Sequence, residues 1–174
     1  EQLDFNDYIK ALTNADFDRA REQRIAISAP PEQLKGIKIY LAGHFLSTPM
    51  RNWVDLVTHA LESHGFTVFS PYREVGILQL NAESSDPINY FNADLQGIND
   101  AKFIVALLGS INRGGISWEM GYAYSKNIPI FGLSTDQRQP LSNMLLQSSR
   151  VIVATIPQLL TEIYTYLSQE TSSD

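Results

Sequence analysis

Short apolar runs alternate with amphipathic stretches along the chain from residue 37 onward. The apolar runs are rich in β-branched and aromatic residues, which is typical of buried strands. They predict five strands, over residues 37–42, 66–70, 102–109, 128–133 and 150–154. The stretches between them have apolar residues at helical spacing and predict helices, over residues 48–65, 86–100, about 117–126 and about 157–168.

Polar residues that can cap a helix stand at the start of three of these stretches. Thr48 is followed by Pro49, and Asp86 is followed by Pro87, which is the usual order at a helix N-terminus. Ser117 is the expected cap of the third helix, so Glu119 should fall in its first turn.

Strands that alternate with helices at this spacing predict a parallel sheet covered on both faces. With right-handed crossovers, this is a three-layer, doubly wound α/β sandwich whose five strands take the order 2-1-3-4-5. Ligands bind such sheets beyond the carboxyl ends of the strands, at the switch point between strands 1 and 3. Three loops should meet there: "AGHFLS", "PYREVGILQLNAESS" and "GSINRGGIS".

Residues 1–35 differ in character from the rest of the chain. Apolar residues at helical spacing are followed there by a polar stretch that ends in "SAPPEQ". We interpret this segment as an appended helix and linker, and residues 36–174 as one domain. An oligomer contact and an inter-domain tether are both open as the role of the extension.

Composition and charge exclude several classes of partner. The 174 residues are 44% hydrophobic and 18% charged, as expected of a soluble globular domain. A net charge of −6, with 13 scattered Lys and Arg, argues against a nucleic-acid polymer. The apolar runs are far shorter than the roughly 20 residues that span a bilayer, and no signal segment opens the chain. The absence of cysteine rules out disulfides, thiolate metal sites and cysteine nucleophiles, and it is compatible with a reducing interior. We expect the cytoplasm as the default location and no membrane partner.

The usual cofactor and nucleophile motifs do not fit the loop before the third helix. Its glycines match neither the phosphate loop nor G-x-G-x-x-G. "GISWE" has Glu119 where a nucleophile elbow has its last glycine, which makes Ser117 a poor nucleophile. His59 and His64 lack the i, i+4 spacing of a zinc helix and are interpreted as solvated. We therefore expect neither a metal nor a cofactor, whereas His44 stands in a loop that should line the site.

Two carboxylates remain as candidates for chemistry. Glu119 either complements the helix dipole or faces a ligand. Asp94 lies on the flank of the apolar face of its own helix, a face predicted from the helical spacing of Ile88, Phe91, Leu95 and Ile98. An acid at the edge of an apolar face either has a partner that offsets the cost of its burial, or lowers the stability of the protein, or serves a function. Two carboxylates converging on one pocket would suit bond cleavage at the anomeric carbon of a sugar.

Three segments together resemble the nucleoside 2-deoxyribosyltransferase family: "KIYLAGHF", "NADLQGINDAKFIVALL" and "GGISWEMGYAYSKNIPIFGL". The resemblance covers about residues 36–155. It implies that Glu119 attacks C1′ of a 2′-deoxynucleoside and forms a covalent deoxyribosyl–enzyme, which a free base or water then resolves with net retention. It also implies that Asp94 exchanges a proton with the nucleobase and that Tyr40 holds the glutamate.

The resemblance also implies the remaining parts of the site. The base and the sugar would be in contact with Gly43, His44 and Phe45. Ser117 is also among the expected substrate-binding residues. The family builds its sites across a subunit interface, so a homo-oligomer is expected. The segment "PLSNM" would donate Ser142 or Asn143 to a neighbouring subunit. The implied partners are a nucleoside or nucleotide and a free nucleobase, in purine or pyrimidine salvage.

One departure from the family pattern leaves the substrate open. Six residues before Glu119 the transferases carry an aspartate, whereas this chain has Arg113. The related deoxynucleoside 5′-monophosphate N-glycosidases have a phosphate-contacting serine there, and an arginine would also suit a phosphate. Arg51 and Arg73 could assist. The expected activity is a nucleoside 2-deoxyribosyltransferase, and the alternatives are a nucleoside 5′-monophosphate N-glycosidase and a non-catalytic nucleotide-sensing module.

Overall fold

The computed structural model describes residues 35–76, 86–109, 114–135 and 141–171. Five strands are present in these ranges: β1 (Lys38–Ala42), β2 (Thr67–Phe69), β3 (Phe103–Leu107), β4 (Ile130–Leu133) and β5 (Val151–Val153). The helices are α1 (Thr48–Ser63), α2 (Pro71–Glu74), α3 (Pro87–Asp100), α4 (Gly114–Ser125), α5 (Asn143–Ser148) and α6 (Ile156–Thr171). The extension predicted over residues 1–35 lies outside these ranges except for its last residue.

The five strands form one parallel sheet in the order β2-β1-β3-β4-β5, which confirms the predicted fold class and order. Helices α1 and α6 cover one face of the sheet, and α3, α4 and α5 cover the other. Successive residues of a strand point to opposite faces, so Ile39 and Leu41 pack under α1 whereas Tyr40 faces the α3 and α4 layer. The short helix α2 lies in the loop predicted after β2, and α5 lies in a segment for which the sequence predicted no strand or helix.

The capping residue of α1 differs from the prediction. Ser47, rather than Thr48, occupies the N-cap position, and its side chain makes no capping hydrogen bond. Thr48 is already helical, and its Oγ1 accepts a hydrogen bond from Nη2 of Arg51 at 3.0 Å. The cap of α3 is confirmed, because the side chain of Asp86 accepts from the backbone N–H of Ile88.

Helix α4 begins at Gly114, about one turn before the predicted start. Ser117 is therefore inside the helix and is not its cap, and Glu119 lies in the second turn rather than the first. The physical reason is the burial of Ile116, which continues the apolar spacing of Met120 and Ala123 by one more turn.

Two burial predictions were wrong. On α3, Ile98 is fully buried, but Ile88 and Phe91 are 57% and 45% exposed, because only the C-terminal half of the helix packs against the core. His64, expected in solvent, is only 4% exposed. Its Nδ1 lies 2.7 Å from the hydroxyl of Tyr164, since the end of α1 packs against α6.

Candidate active site

A buried tyrosine and a glutamate meet at the switch point of the sheet. Tyr40 lies in β1, and Glu119 lies in α4, the helix that follows the neighbouring strand β3. The Tyr40 hydroxyl donates a hydrogen bond to Oε1 of Glu119 at 2.8 Å. Because Tyr40 has no exposed surface, this bond lies in a region of low dielectric where it is strong. One carboxylate oxygen of Glu119 is thereby held in place.

The environment keeps the phenol of Tyr40 protonated. Burial, and then the negative charges of Glu119 and Asp94, raise the pKa of Tyr40 far above its ordinary value. Tyr40 is therefore a permanent hydrogen-bond donor to the carboxylate and not a base.

The surroundings of Glu119 disfavour the charged form of its carboxyl group. Burial raises the pKa of Glu119 to about 7, the hydrogen bond from Tyr40 opposes that rise, and the charge of Asp94 adds to it. Asp94 is therefore one of the charged groups that act on Glu119, although burial has the larger effect. The two acids that the sequence singled out thus lie on α3 and α4, which cover the same face of the sheet, and the charge of Asp94 acts on Glu119.

Asp94 lies in the third turn of α3 and is half-buried. Burial raises the pKa of Asp94 to about 6. Its Oδ1 is buried and has no hydrogen-bond partner among the described residues. A buried polar atom without a hydrogen-bond partner costs free energy, and such an atom is characteristic of a site that binds a ligand.

The loop after β1 is held close to the sheet. A Cβ on Gly43 would lie 2.7 Å from Cγ2 of Val54, so only glycine permits this approach. Phe45 stacks on Tyr72 of α2 with ring centroids 5.7 Å apart, and its carbonyl accepts from Nη1 of Arg51 at 3.0 Å. Arg51 therefore supports the loop from α1. His44, also predicted for the site, is half-buried in the same loop.

Arg73 is not brought to the carboxylate pair by any contact in the described part of the chain. Its guanidinium pairs with Glu62 at 2.7 Å and with Glu74 at 2.8 Å, and it also donates to the carbonyl of Val68. These contacts tie α2 to the end of α1. Arg113 lies outside the described residues, so its predicted contact with substrate stays a prediction.

The other predicted substrate-binding residues are distributed over α4 and α5. Ser117 is half-buried in the first turn of α4. Ser142 caps α5, where its side chain accepts from the N–H of Leu145, and Asn143 is the exposed first residue of that helix. Among the described residues, no group of three or more His, Asp and Glu could hold a metal ion.

Two features around the pair were not singled out by the sequence. The ring of Phe69 in β2 stacks on the ring of Tyr40, with centroids 5.6 Å apart and planes 13° from parallel. Phe91, Trp118 and Tyr122 form an aromatic row on the outside of α3 and α4, with neighbouring centroids 5.6 Å apart. The pairing of β1 with β2 was the only signal that could have placed Phe69 beside Tyr40.

No helix in the described ranges is long and apolar enough to cross a membrane. A search of curated proteins finds no match. Among solved structures, the chain is similar to a 2-deoxyribosyltransferase from Bacillus psychrosaccharolyticus, with a TM-score of 0.63 and 25% identity over 70% of this chain and 89% of that one.

Two further structures share the fold at lower identity. A 2-desoxiribosyltransferase from Leishmania mexicana has a TM-score of 0.54 and 15% identity, over 72% of this chain and 95% of that one. A CMP N-glycosidase from Clostridium botulinum has a TM-score of 0.53 and 16% identity, over 74% of this chain and 98% of that one.

The family model for nucleoside 2-deoxyribosyltransferases matches residues 39–156, which span β1 to the start of α6 and include both Asp94 and Glu119. The interpretation as a non-catalytic sensing module is therefore not supported. The chain belongs to the nucleoside 2-deoxyribosyltransferase family and is an enzyme of the deoxyribosyltransferase or N-glycosidase kind.

Proposed function

We propose that this enzyme transfers the deoxyribosyl group of a 2′-deoxynucleoside to a second nucleobase, with Glu119 as nucleophile and Asp94 as proton carrier. The observation that supports this proposal best is the carboxylate pair. One member accepts a hydrogen bond from a buried tyrosine, and the other has a buried oxygen with no partner in the described part of the chain. A pair of acids so differently placed is suited to two different roles.

In the first step, a carboxylate oxygen of Glu119 attacks C1′ and forms an ester as the bond from C1′ to the base nitrogen breaks. The electrons of that bond stay with the base, which takes a proton from Asp94. In the second step, a nitrogen of the incoming base attacks C1′, its proton passes to Asp94, and the Glu119 carboxylate leaves. Two inversions at C1′ give net retention.

This sequence needs a charged Glu119 and a protonated Asp94 at the same time, which is the reverse of the order that their pKa values of about 7 and about 6 give in the protein alone. Tyr40 stabilises charge on Glu119 by donating to it. A nucleobase over Asp94 would remove water from a carboxyl that is already partly desolvated, and so would favour its neutral form. Bound substrate would therefore favour the state in which Asp94 holds a proton and Glu119 is charged.

The experiment is a chromatographic turnover assay on deoxyinosine and on its 5′-monophosphate, each with and without free adenine. Deoxyadenosine that forms from deoxyinosine only when adenine is present would support the transferase. Glu119→Ala should abolish the product while the protein stays folded, because the side chain lies at the edge of the core. Wild-type rates in that variant would exclude Glu119 as the nucleophile.

A nucleotide N-glycosidase is the second candidate, and the residue that favours it is Arg113. An arginine at this place has the planar donors that match a phosphate. In the same assay, hypoxanthine released from the monophosphate alone would support this hydrolase. Arg113→Ala should then impair turnover of the monophosphate selectively, and equal losses on both substrates would exclude a phosphate contact.

We also propose that the enzyme is a homo-oligomer with shared sites, as its resemblance to the family implies. Exposed apolar side chains on the layer that contains both acids support a contact between copies: Ile88, Phe91, Trp118, Tyr124, Met144 and Leu146. Asn143 begins α5 beside the 80% exposed Met144, so it would be close to a neighbouring copy that packs there.

Subunit mixing tests the shared site. Glu119→Ala and Asn143→Ala would be purified separately, mixed, dissociated and reassociated. If Asn143 acts in a neighbour's site, mixed oligomers contain some sites with both residues intact, and activity should reappear. Activity that stays at the level of the separate variants, in oligomers shown to have exchanged subunits, would refute sharing through Asn143.

We place the proposed reaction in purine or pyrimidine salvage in the cytoplasm, a location with which the absence of cysteine is compatible. Cell fractionation with an antibody against the protein tests the location. Recovery of the protein in a membrane or secreted fraction would contradict it.

A further inference from the structure

Phe69 touches the residue that holds the glutamate and has no polar group of its own. It lies directly beside Tyr40 in the register of β1 and β2. The two rings are stacked with centroids 5.6 Å apart, an arrangement that fixes the plane of the Tyr40 ring. Because the Tyr40 hydroxyl lies at the far end of that ring, a tilt of the ring would displace the hydroxyl from Oε1 of Glu119.

Gly97 in α3 presses on the same phenylalanine. A Cβ at position 97 would lie 2.7 Å from Cδ1 and 2.8 Å from Cε1 of Phe69, distances that no real Cβ keeps. The backbone of α3 therefore rests directly on the ring. Asp94 lies one turn earlier in α3, so the closeness of this contact also sets how near Asp94 comes to the sheet.

We propose that Phe69 and Gly97 are positioning residues that act as one unit, aligning Tyr40 with Glu119 and bringing the Asp94 helix close to them. This inference rests on the proposed function, in which Glu119 and Asp94 perform the chemistry. Neither Phe69 nor Gly97 needs to touch substrate. Their role requires only that the Phe69 ring stays between α3 and the Tyr40 ring.

Simple packing is the competing explanation, and Gly132 provides the control for it. Gly132 in β4 is buried, and a Cβ there would lie 2.8 Å from Cγ1 of Ile152 and 3.1 Å from Cδ1 of Leu108. It is as crowded as Gly97, but its neighbours are aliphatic and do not include Tyr40. Gly132→Ala should destabilise the protein without changing how the remaining folded enzyme works.

Turnover provides the first readout, with Phe69→Leu, Gly97→Ala, the double variant and Gly132→Ala compared at a temperature where all are folded. Phe69→Leu and Gly97→Ala should each lower kcat by about tenfold to a hundredfold with little change in KM, since a misplacement of about 1 Å can cost that much. In the double variant the two losses of kcat should not multiply, because the alanine at position 97 no longer contacts the ring of a phenylalanine at position 69. Losses that multiply would overturn the claim that the two residues act as one unit.

The pKa of Glu119 provides a readout that packing alone would not move. In the described part of the chain, the titratable groups that act on Glu119 are Tyr40 from β1 and Asp94 from α3. The hydrogen bond from Tyr40 lowers the pKa of Glu119. Loss of alignment in Phe69→Leu should weaken that bond, and the pKa of Glu119 should therefore rise. Carbon-13 NMR of labelled glutamate carboxyls measures it, and the Glu119→Gln spectrum assigns the signal.

The two measurements separate this inference from the proposed function. If Glu119→Gln keeps full activity, the proposed function fails, whereas the NMR titration still shows whether Phe69 aligns Tyr40. If Glu119→Gln is inactive but Phe69→Leu leaves the pKa of Glu119 where Gly132→Ala leaves it, the positioning role is wrong.

Discussion

The hydroxyl of Tyr40 reaches Oε1 of Glu119 across 2.8 Å, although the two residues are 79 positions apart in the sequence. One belongs to the first strand of the sheet, and the other belongs to the helix that leaves the neighbouring strand. The switch point of a doubly wound sheet is the place where two such elements open toward each other. The bond therefore fixes the carboxylate of Glu119 at the location where this fold admits a ligand.

Tyr40→Phe should slow turnover by about tenfold to a hundredfold, the effect expected when a hydrogen bond to a charged group is lost. The pKa of Glu119 should also rise, because the donor that lowers it is gone. Steady-state kinetics across a range of pH measure both effects.

Tyr164→Phe is the matched control for that change. It also removes a hydroxyl that is hydrogen-bonded, to Nδ1 of His64, but it lies in the layer of α1 and α6. Equal losses of kcat in the two variants would mean that Tyr40 acts through stability alone.

Asp94→Asn should lower kcat by about 10²–10⁴-fold, the usual contribution of a positioned proton-transfer group. The amide can still fill the space but cannot exchange a proton with the base. Asp100→Asn, the same change in the last turn of α3, is the control and should leave the rate unchanged. An unchanged rate in Asp94→Asn would make Asp94 a structural acid.

The pH profile of kcat/KM should be bell-shaped, with one limb near pH 6 and the other near pH 7, because the reaction needs one of the two carboxyl groups protonated and the other charged. Activity falls at low pH as both become protonated and at high pH as both become charged. In Asp94→Asn the alkaline limb should disappear, since only Glu119 then titrates. A wild-type profile without an alkaline limb would show that no shared proton is needed.

Glu119→Gln should stabilise the protein at pH 8 more than at pH 5. Burial raises the pKa of Glu119 from 4.5 to about 7, so the folded state binds that proton more tightly than the unfolded state does. The resulting stability is complete below pH 4.5 and is lost as the pH rises through 7. At 1.36 kcal/mol for each pKa unit, the wild type should lose up to about 3 kcal/mol relative to the amide variant.

Urea unfolding at the two pH values measures this difference, and Glu162→Gln on α6 controls for the loss of one glutamate charge. A stabilisation by Glu119→Gln that is the same at pH 5 and pH 8 would show that burial does not penalise the charge of Glu119.

The fold could be predicted because its strands are continuous apolar runs, and the three central strands are buried on both faces. This pattern is typical of a parallel sheet, and the order of strands then follows from the crossover rules. The start of α4 could not be predicted, because Gly114 and Gly115 read as loop residues and only the burial of Ile116 extends the helix over them. Helix ends depend on tertiary packing more than the interiors of helices do.

The two acids could be singled out because few other residues offered any chemistry, and the family resemblance gave them roles. The influence of Asp94 on Glu119 could not be predicted without coordinates, nor could the Asp94 oxygen that has no hydrogen-bond partner within the described ranges. Phe69 and Gly97 escaped notice because a phenylalanine in a strand and a glycine in a helix have no chemical signature. Contacts between elements distant in the sequence are what gives such residues a role.

The two faces of the sheet are unequal, and this has a consequence for how the enzyme can change. The larger of the two apolar clusters lies between the sheet and the layer of α1 and α6, whereas both acids belong to the opposite layer. Most of the apolar burial in the described part of the chain is therefore separate from Asp94 and Glu119, the two residues that we propose act on substrate. Substitutions in α3 and α4 can adapt the enzyme to a new base or sugar while α1 and α6 continue to supply the stability that such changes consume.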